Sequence, residues 1–164
     1  MARHEVSAET AAWFNPIIQI GDDVLQACED AQVVGVEPEL ALAIAELSSK
    51  HAAALVALKR DVFAAGDQPK DSGTLRGATE RVLADVTSSF RDPGHLRMTL
   101  VALRQHARWE DAARLALLAS LSQAQRALLS WHYESARDAA ETVDRIVRRL
   151  AAGAQTENGA GGAK

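Results

Sequence analysis

The stretch 38-PELALAIAELSSKHAAALVALKRDVFAAG-66 decides the fold. Its apolar residues Leu40, Ile44, Leu47, Leu55, Leu58 and Val62 recur in steps of three and four with His51 among them, which is the stripe of a core-facing bundle helix. Pro38 suits the first helical position, where its missing N–H is no loss, and Gly66 suits the left-handed residue that ends a helix.

Outward from this helix the same grammar recurs. Asn15-Pro16 reads as a cap and first position for a helix running to about Val34 and stopping at Gly35. Asp92-Pro93 repeats the signal for a helix ending near Ser120. Ser122 and Gln125 form a capping box for a last helix reaching about Ala152 and stopping at Gly153. That helix carries the stripe Leu128, His132, Ser135, Ala139, Val143, Ile146, Leu150. A shorter helix is expected from about Thr74 to Phe90. The expected domains are therefore an extension over 1–15, a bundle over 16–152 and a disordered tail over 153–164.

Connection lengths set the topology. The first and second helices, and the last two, are joined by a few residues and form antiparallel hairpins. The hairpins are linked by a long segment with its own helix, long enough to cross the bundle. The expected fold is all-α, a ferritin-like four-helix bundle with a long helical crossover.

Gly66, Pro69, Asp71, Ser72, Gly73, Thr74 and Gly77, with Glu110-Asp111 further on, resemble a bacterial ferritin-like family of unassigned function. Trp109 stands where that family has glycine. The resemblance covers roughly Ile17 to Leu150 and implies a bundle of the ferritin and rubrerythrin type. Di-iron members of the superfamily carry Glu-x-x-His pairs, and this chain has none: Ser48 precedes His51 and Leu129 precedes His132 at that spacing. A standard di-iron centre is not expected.

Composition narrows function further. Of 164 residues 48% are apolar and only 4% aromatic, and the formal net charge is −4. No basic patch with interleaved aromatics suggests nucleic acid, and no apolar run suggests a membrane span. The start, MARHEVSAETAAW, lacks the apolar core of a secretory signal, and the single Cys28 fits a reducing compartment, so a cytoplasmic protein is expected.

The chemistry concentrates in three of the five histidines, His51, His106 and His132, each on an apolar stripe of a different helix. Depth along the helices, at ~1.5 Å per residue, puts them with Glu110 and Asp22 in a band of roughly one to one and a half turns. Two readings follow. In the first, the histidines are a buried polar network satisfied by hydrogen bonds and without catalysis. In the second, His51, His132 and Glu110, supported by His106 or Asp22, bind zinc or non-haem iron with a redox role. The network is preferred, giving a structural or stress-associated module that is not an enzyme and associates as a homodimer or other homo-oligomer. Trp13 or Phe14 is expected to cap that interface. A third reading, an amphipathic particle-coat protein, is disfavoured because the bundle core should use up the apolar stripes.

Overall fold

A computed structural model describes residues 2–32, 36–70, 73 and 94–160. Among these residues the chain forms four helices: α1 (Ala2–Gln32), α2 (Pro38–Ala64), α3 (Gly94–Leu117) and α4 (Gln123–Ala160). They pack as an all-α bundle. Each of α1 and α4 packs against both α2 and α3. The helix expected over 74–90 lies outside the described residues.

Contacts at the two ends of the bundle fix the directions of the helices. At one end Arg149 of α4 pairs with Glu39 of α2. At the other, the Gln125 side-chain amide donates to Asp61 near the end of α2 (2.9 Å) and to Thr10 near the start of α1 (3.1 Å). The short α3–α4 connection puts the end of α3 there as well. Thus α2 and α3 run the same way, antiparallel to α1 and α4.

Local chemistry explains several boundaries. Pro38 opens α2, and the Glu37 carboxylate accepts the Leu40 N–H at 3.0 Å, satisfying one exposed donor of the first turn. At its other end Gly66 sits at φ 90°, while Gly66 N–H donates to Phe63 O and Asp67 N–H to Val62 O. This double bond pattern satisfies the last carbonyls, and a left-handed residue is what it requires. The capping box of α4 is formed as expected: Gln125 N–H donates to Ser122 Oγ (3.2 Å) and Ser122 N–H to Gln125 Oε1 (3.0 Å). The Arg126 guanidinium closes the preceding turn on the carbonyls of Leu117 and Ala119.

Two boundaries differ from expectation. Asn15-Pro16 does not start a helix, because α1 begins at Ala2 and continues through Pro16. The residues ahead of it, rich in Ala and Glu, favour a helix, which carries on despite the backbone bond that proline forfeits. Asn15 caps something else: its side-chain oxygen accepts the Lys70 N–H at 3.0 Å, tying the α2 exit to α1. At the far end α4 runs past Gly153 to Ala160, since one glycine among good helix formers weakens a helix without ending it.

Phe14, Ile17 and Ile18 of α1 meet Leu40, Ile44, Leu47 and Leu58 of α2, Trp109 of α3 and Leu129 of α4 in a shared core. Phe14 is fully buried and so does not reach an interface, while Trp13 is half-buried against the same core. Cys28 is buried too, and burial pushes its thiol up to about 12, as befits an inert core residue. The core does not consume every apolar residue of α2. Leu42 (74% exposed), Val56 (59%) and Phe63 (73%) lie on its outer face.

Candidate functional site

The stripes of α2 and α3 bring His51 and His106 together in the bundle interior. His51 Nε2 lies 2.9 Å from His106 Nδ1, a hydrogen bond between two buried imidazoles. Trp109, one turn after His106, closes the pair: its ring meets His51 edge-on at 4.8 Å between centroids and stacks on His106 at 6.0 Å. Gly21 of α1 makes room for this wall. A Cβ there would stand 3.3 Å from Leu55 and 3.7 Å from the Trp109 ring. The space beside Gly21 is thus filled by the Leu55 side chain and the Trp109 indole.

Burial sets the charge of the pair. Desolvation holds His51 well below the usual imidazole range, with the neighbouring His106 adding to the effect, and burial pushes His106 down to about 4. Both are neutral near pH 7, so one donates and the other accepts. The partners decide which. His106 Nε2 faces Glu110 Oε1 at 3.9 Å, and His51 Nδ1 has no hydrogen-bond partner among the described residues. If His51 Nε2–H donates, His106 carries its own proton on Nε2, pointing at the carboxylate, and His51 Nδ1 is a bare lone pair. The opposite arrangement would bury an N–H without an acceptor and aim a lone pair at a carboxylate. The first is favoured, because an orphaned buried donor costs on the order of 1–3 kcal/mol.

Glu110 connects the pair to the surface. With Leu103, Glu141 and Asp144 it lines a cavity of about 380 Å³ between α3 and α4, and His106 is the inner wall. The arginines at this mouth are matched by acids one turn away on their own helices. Arg114 lies 3.7 Å from Glu110, Arg137 bonds Glu141 at 2.9 Å and Arg148 meets Asp144 at 2.8 Å. The opening therefore presents no uncompensated charge to a ligand.

The other expected site residues stand apart. His132 is buried on α4, held below its ordinary range by desolvation, and its nearest ring is Trp131, edge-on at 4.7 Å. Asp61 explains the offset. His132 lies seven residues along α4 from Gln125, which bonds Asp61, whereas His51 lies ten residues along α2 from that same Asp61. At ~1.5 Å per residue His132 falls nearly one turn below the pair. Asp22 is half-buried on α1, while its neighbour Asp23 is fully buried where Gly73 packs onto it. Among the described residues no three His, Cys, Asp or Glu side chains lie close enough to hold an ion together.

These residues fit a metal poorly for a second reason. A metal between two imidazoles needs about 2.0–2.1 Å to each nitrogen at an open angle, which a direct 2.9 Å N···N hydrogen bond does not leave. Ligation from the cavity through His106 Nε2 would force the less favourable proton arrangement on both rings. Comparison with family models, curated proteins and solved structures finds no match to this chain.

What the pair does chemically is hold register. It joins α2 to α3, helices on opposite corners of the bundle, through a bond that forms only when His51 and His106 stand level. Trp109, a fully buried residue of α3, forms the wall of this site, a role its position in the sequence does not reveal. Trp131 of α4 is 62% exposed.

Proposed function

We propose that the protein is a non-catalytic, ferritin-like helical module, structural or stress-associated, that lacks a di-iron centre and uses its central histidines to lock the bundle. The observation that carries this reading is the buried His51–His106 hydrogen bond. It occupies one nitrogen of each ring, His51 Nε2 and His106 Nδ1. The parallel course of α2 and α3 supports the ferritin-like part of the reading, since a chain leaving α2 at one end must regain the other to begin α3.

The test is metal analysis of protein produced without a histidine tag. This reading expects well below stoichiometric iron or zinc and no thermal shift on adding Fe²⁺ or Zn²⁺. Near-stoichiometric metal, lost on substituting His106 or Glu110, would instead support a metal-binding bundle with a redox role. That second reading rests on His106 Nε2 and Glu110 Oε1 facing each other at the cavity mouth.

A further inference from the structure

The outer face of α2 carries a second heptad that the core does not explain. Leu42, Ser49, Val56 and Phe63 are spaced by seven, so they lie in one line, and all four are exposed. Exposed apolar residues scattered singly need no explanation, but three of the four positions in this line are large and apolar, which suits a contact along the helix. We propose that this line is the interface through which two copies of the chain pair, with α2 packed antiparallel on α2.

The spacing is self-complementary only in that direction. Turned about a two-fold axis between Ala52 and Ala53, Leu42 of one copy faces Phe63 of the second, and Ser49 faces Val56. The alanines lie where the helices approach most closely, and the bulky groups close both ends. Charge agrees with the same alignment. Glu46 and Arg60 flank the line on one side, and an antiparallel pairing brings Glu46 of each copy beside Arg60 of the other. A parallel pairing would set Glu46 against Glu46 and Arg60 against Arg60. Glu46, itself exposed, pairs with Lys50 one turn on along its own helix at 2.9 Å and can extend to a second partner. This pairing does not depend on the role of the histidines.

The experiment uses the full chain. Light scattering should give twice the 17.5 kDa chain mass, and Val56→Glu, at a side chain outside the core, should give a single chain with unchanged helical content. Glu46→Arg should weaken pairing by about tenfold or more, and adding Arg60→Glu should restore it. Ala53→Cys should crosslink to itself under oxidation. Leu42→Cys should not, yet it should crosslink when mixed with Phe63→Cys. A single-chain mass for the unaltered protein, self-crosslinking of Leu42→Cys, or no effect of Val56→Glu would overturn the proposal. So would binding of the single chain to lipid vesicles through this face.

Discussion

His51 Nε2 and His106 Nδ1 stand 2.9 Å apart in a place where neither ring reaches water freely, and each ring's remaining nitrogen meets a different fate. That of His51 is enclosed without a hydrogen-bond partner among the described residues, and that of His106 faces the Glu110 carboxylate. This asymmetry underlies what the site should do when it is perturbed.

Breaking the pair from one side should be worse than removing it. His51→Leu leaves His106 Nδ1 buried without its donor and should cost about 2–3 kcal/mol. His106→Leu should behave similarly. The double variant should lose less than the two singles together, with a coupling of about 1 kcal/mol or more. Urea unfolding of the four proteins measures this directly, and strict additivity would mean that the bond contributes nothing.

Acid should destabilise the fold in a defined window. His106 binds a proton near pH 4 in the folded chain, against about 6.5 when unfolded. Between those values the unfolded state holds more protons, so stability falls as pH falls from about 6.5 toward 4. The His106 contribution alone amounts to about 3 kcal/mol across the window, and His51, also shifted down, adds in the same direction. The variant His106→Asn, which keeps an acceptor for His51 but no titrating ring, should flatten that slope in unfolding curves taken from pH 7 to 4.

Much of the frame was readable because its signals were local. Ser122 and Gln125 meet within one turn, and Gly66 needs only its own backbone conformation, so both were legible from neighbouring residues. Asn15-Pro16 misled because the cap chemistry is real but serves Lys70, fifty-five residues away. The meeting of His51 with His106 depended on two stripes sharing a level, which connection lengths could suggest. His132 lies nearly a turn from the pair, within the expected band, but its exact level depends on the Gln125–Asp61 contact, which no periodicity reveals. The outer line of α2 was present in the sequence at a spacing of seven, hidden beside the stronger inner stripe.

Glycines test the packing around the site. A Cβ at Gly73 would stand 2.3 Å from Asp23 Oδ1, so Gly73→Ala should cost about 1–3 kcal/mol as the buried carboxylate is displaced. A Cβ at Gly153 inside α4 would meet nothing within 4 Å, and Gly153→Ala should be neutral or stabilise by up to about 1 kcal/mol. Thermal unfolding of both variants should separate them, and equal effects would place Gly73 elsewhere.

The central claim is that the two histidines are bonded to each other and not to a metal, and imidazole nitrogen NMR tests it most directly. Long-range proton–nitrogen correlation near pH 7 should show His51 and His106 neutral, each with its proton on Nε2, and unchanged by added Zn²⁺ or Fe²⁺. A His106 proton on Nδ1, with its Nε2 resonance displaced or broadened by metal, would contradict the account.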